Sequence, residues 1–390
     1  MDLISTVSQR FEEEFGRIPV DIVRSPGRVN LLGEHVDYNA GFVMPAAIDR
    51  ASYLAFAPAQ GGVSTLAALD MDERVSFTLD SVNQHQDVNG QPLPHWALYP
   101  AGVCWALAQA GYAVPALQAA FTSNIPQGSG LSSSASIELG FISAWQAIGG
   151  WTLPPMQRAL LGQKGENQYV GVNCGIMDQF ACACGETDRL LLLDCRSLEW
   201  RTLPLPAELA IVVADTTIRR KLTSGAYNER RADCEEAVRL LQADLPQISS
   251  LRDVAVNEFN RLAGKLPERV QKRARHIVEE IARSEKAIAL LESGDIAAFG
   301  KLLNECHTSL RDLYEVSIPE LDIMVEIAQR LPGVWGARLT GAGFGGCTVN
   351  LVEKTAVADF VSALEQGYTA RTNLKPEIYV CSASTGTAII

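Results

Sequence analysis

Apolar residues come in short runs punctuated by glycine through the first half of the chain, then at helical spacing among charges through most of the second. Runs at 20–23, 42–48, 52–57, 75–79, 117–125 and 190–193 predict strands in the first half. Two helices interrupt them. Residues 96–111 repeat apolar positions at helical spacing, whereas 134–147 are apolar almost all round, which predicts a helix buried between layers. Residues 1–14 read as a further amphipathic helix. From about Pro204 the texture changes: 209–214 predict a strand, charged amphipathic helices follow from 226 to about 331, and strands at 337–339, 347–352 and 378–382 close the chain. No internal repeat, low-complexity tract or long linker is visible.

At 390 residues the chain exceeds one comfortable core, so two domains are expected, with the change of texture marking a boundary between 203 and 204 and the last strand free to pack back on the first domain. Lys and Arg number 33 against 45 Asp and Glu, so 33 − 45 = −12, which argues against a general polyanion or nucleic-acid binder and makes any phosphate site local. Acids interrupt the first residues where a signal peptide needs an apolar core, and the most apolar stretch, 139–151, is far shorter than the roughly 20 residues of a membrane helix. A soluble cytoplasmic protein with no membrane and no obligatory protein partner is the expectation. Nine cysteines scattered through apolar sequence predict reduced core thiols, and neither Cys182-Ala-Cys184 nor the five histidines have metal-ligand spacing, so no zinc site is expected.

Four segments concentrate candidate chemistry. In Asn124-Ile-Pro-Gln-Gly-Ser-Gly-Leu-Ser-Ser-Ser-Ala-Ser136 a strand-like run leads into Gly128 and Gly130, which let an oxyanion approach the backbone. Ser132, Ser133 and Ser134 then open an apolar helix whose N-terminus offers unpaired amides, and their hydroxyls can reach a phosphate oxygen or a metal ion. No Gly-Lys-Ser/Thr occurs, so this is not a Walker A loop. A glycine turn with a serine N-cap explains the segment equally well on its own. Residues 25–41 pack Arg28, Glu34, His35 and Asp37 into a turn-rich stretch suited to vicinal hydroxyls, the alternative being a solvated loop. The apolar run that follows pins it to a core.

Asp178 lies in the glycine-bounded apolar run 171–180 and needs a partner there. Arg28 is a candidate, and the pair suits proton acceptance from an attacking hydroxyl as well as a structural salt bridge. Glu166, about three helical turns earlier, is a candidate magnesium ligand with a loop serine. Residues 340–347 match G-x-G-x-x-G nominally, but a strand follows instead of a helix, which predicts a hairpin-like glycine loop, either abutting a ligand or purely structural. Residues 223–231 open a helix in which Tyr227 can face a sugar, and Trp96 is either core or a stacking partner for a nucleobase.

Together these segments resemble the GHMP kinases, and among them the galactokinase family, with three motifs in order across nearly the whole chain. Pro26-Gly-Arg-Val-Asn-Leu-Leu-Gly-Glu-His-Val-Asp-Tyr-Asn39 is similar to the galactokinase signature, Pro126-Gln-Gly-Ser-Gly-Leu-Ser-Ser-Ser-Ala135 to the phosphate loop, and Leu339-Thr-Gly-Ala-Gly-Phe-Gly-Gly346 to the third motif. Cys174-Gly-Ile-Met-Asp-Gln179 and Ser224-Gly-Ala-Tyr-Asn-Glu-Arg230 resemble further segments of that family. The resemblance implies an α+β, two-domain GHMP kinase fold with mixed sheets and helices and the active site in the cleft between domains. It implies ATP and Mg2+, with galactose and ATP as small-molecule substrates. By resemblance Asp178 is the catalytic acid or base and Arg28 its cationic partner, while Glu34, His35, Asp37, Gly175, Asp178 and Tyr227 line the sugar pocket. Gly128, Ser129, Gly130, Leu131, Ser132, Ser133 and Ser134 would hold the triphosphate, Trp96 would border adenine, and Ser133 with Glu166 would hold magnesium.

One departure stands out: the family usually carries threonine where this chain has Val36, which removes a hydroxyl beside the sugar residues. N-acetylgalactosamine and arabinose therefore join galactose as candidate substrates. The rivals are a noncatalytic galactose and ATP sensor, disfavoured by the intact serine loop, and a mevalonate or homoserine kinase, disfavoured by the hydroxyl-reading cluster around Glu34.

Overall fold

The structure is a computed structural model and describes residues 2–219 and 224–390. Thr223, in the segment 223–231, lies outside them. In chain order the first half holds α1 (Leu3–Phe15), β1 (Asp21–Asn30), β2 (Phe42–Val43), β3 (Pro45–Pro58), β4 (Ser64–Ala68), β5 (Glu73–Phe77), α2 (Leu79–Val82), α3 (Leu98–Gln109), β6 (Leu117–Ser123), α4 (Ser133–Gly149), α5 (Pro155–Gly165), α6 (Met177–Cys184), β7 (Arg189–Asp194) and β8 (Trp200–Pro204). The second holds β9 (Leu209–Asp215), α7 (Ser224–Leu241), α8 (Val256–Leu262), α9 (Glu268–Ser293), α10 (Ile296–Ser309), α11 (Pro319–Ala328), β10 (Val334–Leu339), β11 (Cys347–Glu353), α12 (Val357–Thr372), β12 (Glu377–Cys381) and β13 (Ala388–Ile389).

These strands make a six-stranded sheet in the order β13-β1-β3-β6-β4-β5, a four-stranded sheet β10-β11-β9-β12 and a three-stranded sheet β2-β7-β8. Only β4 and β6 run parallel among the recorded pairings, so the sheets are mixed, as α+β architecture requires. Every residue of β9 is buried, because β11 and β12 flank it, α11 and α12 pack with Val212 and Ala214, and Ile211 and Val213 join the main apolar cluster. One apolar cluster runs without a break through both halves, from Val23 past Leu139, Phe180 and Ile211 to Leu351.

The all-round apolar helix behaves as its sequence predicts. α4 packs on β1 and β3 on one side and on α3, α5 and α6 on the other, and Leu139, Phe141, Ile142 and Trp145 are fully buried. Local chemistry accounts for where elements differ from expectation. The strand predicted at 75–79 ends at Phe77 because Thr78 and Ser81 exchange capping hydrogen bonds that start α2. Residues 96–111 are not one helix, since a 3-10 turn, His95–Ala97, precedes α3. Nor does one helix join Glu166 to Asp178. A π-helical turn, Glu166–Val170, stops at Gly171 with φ 86, and α6 starts afresh at Met177.

β13 pairs antiparallel with β1, Val23 opposite Ile389. Thr387 joins the same edge, its hydroxyl lying 2.8 Å from that of Ser25. Among the described residues no helix is long and apolar enough to cross a membrane.

Candidate active site

Three segments distant in sequence converge on one carboxylate. Asp178 stands in the first turn of α6, where the helix dipole favours negative charge. Arg28 of β1 donates to its Oδ1 through Nε at 2.8 Å and Nη2 at 2.6 Å, and Ser132 donates to its Oδ2 at 2.6 Å. Arg28 also donates from Nη1 to the carbonyl of Gly130 at 2.5 Å, so one guanidinium ties the carboxylate to the glycine-serine loop. The Arg28 side chain is 4% exposed, whereas that of Asp178 is 29% exposed and stays within reach of a ligand. Burial works against the Arg28 charge, but Asp178 and Glu34 more than offset it and hold its pKa above the usual value.

The backbone geometry of the loop suits an anion. Gly128 and Gly130 take φ of 66 and 85, and the N–H groups of Gly128, Gly130, Leu131 and Ser132 find no hydrogen-bond partner among the described residues. Ser132 departs from expectation. It adopts φ 60, makes no capping bond and spends its hydroxyl on Asp178, so α4 opens at Ser133 and the plain serine N-cap does not describe the segment. Ser129 donates to the carbonyl of Pro126 and is buried, while Ser133 and Ser134 remain half-buried at the helix mouth. The third glycine motif backs this loop. It joins β10 to β11 as a hairpin, and a Cβ at Gly346 would meet the Ser129 carbonyl at 2.3 Å, one at Gly341 the Gly130 carbonyl at 2.6 Å.

The sugar-signature residues gather beside Asp178. Asp37 accepts from the backbone of Tyr38 and of Met177, one residue before Asp178. Burial, then the Asp178 charge, pushes its pKa up to about 6. Glu34 is buried, its Oε2 accepting from Arg338 at 2.9 Å and from the Gly341 amide at 3.1 Å; burial pushes its pKa up against the pull of Arg338 and Arg28. His35, at φ 63, pairs its Nδ1 with the Tyr38 hydroxyl at 2.9 Å, and its ring lies 5.6 Å from that of Tyr227 on α7. Two non-glycine residues in left-handed conformations, His35 and Ser132, thus flank the Asp178 site.

Gly175 belongs to the same cluster through what it lacks. A Cβ there would fall 1.9 Å from Asp37 Oδ2, so Gly175→Ala must displace that carboxylate. The expected result is a sugar KM raised about tenfold or more with the ATP KM little changed, and equal shifts in both would dissociate Gly175 from sugar recognition.

Val36 belongs to the apolar core. Its side chain is fully buried and packs against Gly41. Val36→Thr is therefore expected to leave the ranking of sugars by kcat/KM unchanged, and a reordered ranking would bring position 36 back into selectivity.

Trp96 sits on the turn before α3, donates from its indole to Glu73 at 2.5 Å and stands 5.7 Å from Phe121. An open cleft of about 270 Å3 lies by the loop entrance, lined by Asp70, Ser123, Asn124, Gln127, Arg219 and Tyr379 among others. Glu166 is buried beside Glu138, and the Gln179 amide donates to both, at 2.6 and 2.9 Å. Burial, then the Asp178 charge, pushes Glu166 up to about 7. Glu138 Oε1 is buried with no partner among the described residues. Glu138, with its orphaned oxygen, stands on the helix that Ser133 opens, and Glu166 faces it from the π-helical turn; these hard oxygen donors fit a divalent cation.

Sequence reasoning missed Arg338, Glu138, Gln179, Ser132's bond to Asp178, and Arg219, whose Cδ would lie 3.4 Å from a Cβ at Gly128. The signal was present for two of them: a lone charge inside an apolar strand, Arg338, and inside an apolar helix, Glu138.

An anion-receptive loop, an Arg–Asp pair and a polar hydroxyl-reading cluster on this fold define a small-molecule kinase of the GHMP class. Family models agree: the galactokinase galactose-binding signature matches residues 9–58, the GHMP kinases N terminal domain 99–186 and the GHMP kinases C terminal 287–370. A Roseiflexus galactokinase is 45% identical over 97% of this chain and 95% of its own, and one from Chloroflexus aggregans is 41% identical over 99% and 98%. The crystal structure of Lactococcus lactis galactokinase complexed with galactose superposes with a TM-score of 0.94 at 36% identity, covering 99% of this chain and 100% of that one. The chain belongs to the galactokinase family. A mevalonate kinase structure, at 21% identity and TM-score 0.61, shares the fold.

Proposed function

We propose that this protein transfers the terminal phosphoryl group of ATP to the anomeric hydroxyl of galactose, giving galactose 1-phosphate and ADP. The observation that supports this most directly is the meeting of Arg28, Asp178 and Ser132, where the sugar-signature segment touches the phosphate loop. Asp178 accepts the proton of the attacking hydroxyl, and Arg28 orients it while its charge faces the transferring group. The amides of Gly128, Gly130, Leu131 and Ser132 bind the phosphates, with Ser129, Ser133 and Ser134 completing the loop, and Trp96 borders adenine. Glu34, His35, Asp37, Gly175 and Tyr227 hold the sugar so that its reducing end meets Asp178. Ser133 and Glu166 would hold magnesium, which supplies charge neutralisation on the triphosphate.

Residues 1–203 and 204–390 form two domains in this reading, the site lying between them. Nine free thiols, none of them exposed, suit work in the reducing cytoplasm.

A coupled assay for ADP across galactose, 2-deoxygalactose, N-acetylgalactosamine, glucose and arabinose tests the proposal. Galactose is expected to lead in kcat/KM. Binding of galactose and ATP without ADP release would favour the sensor, and faster turnover of N-acetylgalactosamine or arabinose would replace the substrate.

A further inference from the structure

The segment that presents Glu34 is gripped almost peptide by peptide from the far half of the chain. The Asn30 carbonyl accepts from Arg338 Nη2 at 2.5 Å and the Leu31 carbonyl from Arg338 Nε at 2.7 Å. The Gly33 and Glu34 amides both converge on Oε1 of Glu280, at 2.8 and 3.4 Å, and the Glu34 carbonyl lies 3.3 Å from His276 Nε2. Glu280 and His276 belong to α9 and Arg338 to β10, and all three are fully or almost fully buried.

Successive amides turned toward one anion make a nest, and the backbone here is bent accordingly: Gly33 at φ 87 and His35 at φ 63 flank Glu34. Such a bend is strained at His35 and needs an external hold. Glu280 supplies it from below, while Arg338 and the Gly341 amide take Oε2 of Glu34 from the side. The only recorded bonds to the Glu34 carboxylate use Oε2, so Oε1 has no hydrogen-bond partner among the described residues. The Glu280 carboxylate is completed by the Cys306 thiol at 3.1 Å on Oε1 and by Arg283 on Oε2.

We propose that Glu280 is a positioning residue for sugar binding: it never touches the sugar but fixes the peptide bend that aims Glu34 into the pocket. This rests on the galactose reading above. Burying Glu280 is costly, yet its four donors come from the sugar segment and its own supports, and none comes from the phosphate loop. Its effect is therefore confined to the sugar side.

Glu280→Gln keeps the shape but cannot serve both partners, because whichever way the amide is turned its NH2 faces either the Arg283 guanidinium or the Gly33 and Glu34 amides. Galactose binding measured by calorimetry without ATP is expected to weaken about tenfold, with the ATP KM within about twofold of wild type. In a double-mutant cycle with Glu34→Gln, the double variant is expected to bind galactose no more than about twofold worse than Glu34→Gln alone, since both changes disable one contact. Wild-type galactose affinity in Glu280→Gln, or penalties that multiply in the cycle, overturns the proposal. If Glu280→Gln does not fold, Cys306→Ala removes one donor from the same oxygen without changing charge, and a galactose affinity about two- to threefold weaker at constant ATP KM is expected. Unchanged galactose affinity there overturns the proposal as well. A wild-type protein that binds no galactose would instead refute the function proposed above.

Discussion

Asp178→Asn is expected to fold, to bind galactose within a few-fold of wild type, and to lose at least ~10²-fold in kcat. The substitution is nearly isosteric, so what it removes can be specified. Its carbonyl oxygen still accepts from Nε and Nη2 of Arg28, both of which meet a single oxygen, Oδ1. Its NH2 takes the place of Oδ2, and the Ser132 hydroxyl, a donor now, can rotate to accept. The three-way junction of β1, phosphate loop and α6 therefore survives while the proton acceptor and its charge disappear. Turnover by single-wavelength coupled assay and galactose affinity by calorimetry separate these consequences. A kcat within tenfold of wild type would remove Asp178 from proton acceptance and leave it the task of orienting the hydroxyl. That outcome is chemically conceivable, because an anomeric hydroxyl is more acidic than an ordinary alcohol and needs less help to ionise.

Sequence made the parts of this site legible and left their joints obscure, for a physical reason. The phosphate loop, the Asp178 turn and the glycine hairpin are local devices: glycines that permit positive φ, and a carboxylate inside an apolar run, advertise themselves within about ten residues. α4 was equally plain, since an all-round apolar helix must be buried on every side. What periodicity does not encode is direction in a segment without a repeat. Val36 and Asp37 are neighbours in an irregular turn, and only the fold decides that one packs into the core while the carboxylate of the other meets the Met177 amide beside Asp178. The same holds for Ser132, whose hydroxyl turns to Asp178 because its backbone is left-handed. Long-range partners were hidden for a different reason. Glu280 lies 246 residues from Glu34, and Arg338 lies 304 residues away, so each reads by itself as an unexplained charge. The pairing of β13 with β1 is likewise invisible to local pattern, two short residues of strand being too few to announce a partner.

Arg28→Met carries the second large effect, and it differs in kind from loss of the aspartate. Methionine replaces the buried stem with similar length and no charge, so packing inside β1 is largely kept, and Asp178, being partly exposed, can be hydrated where it loses its partner. Three contacts vanish together, two to Asp178 and one to the Gly130 carbonyl. The first pair bears on chemistry, as does the loss of a positive charge facing the transferring phosphoryl group; the third bears on the conformation of the loop that binds the nucleotide. We expect kcat to fall by ~10²–10³, the range for removing a preorganised donor to developing charge, and the ATP KM to rise with it. Arg28→Lys retains the charge but one donor atom in place of three, and should recover kcat more fully than ATP KM, because a single ammonium that reaches Asp178 leaves Gly130 unheld. Combined with Asp178→Asn, Arg28→Met should lower kcat further, but by clearly less than the product of the two losses, since the share that the arginine exerts through the carboxylate is already gone while its charge on the phosphoryl group is not. If instead the two losses multiply, the guanidinium works on the phosphoryl group independently, and the pair is two catalytic devices that happen to share a hydrogen bond.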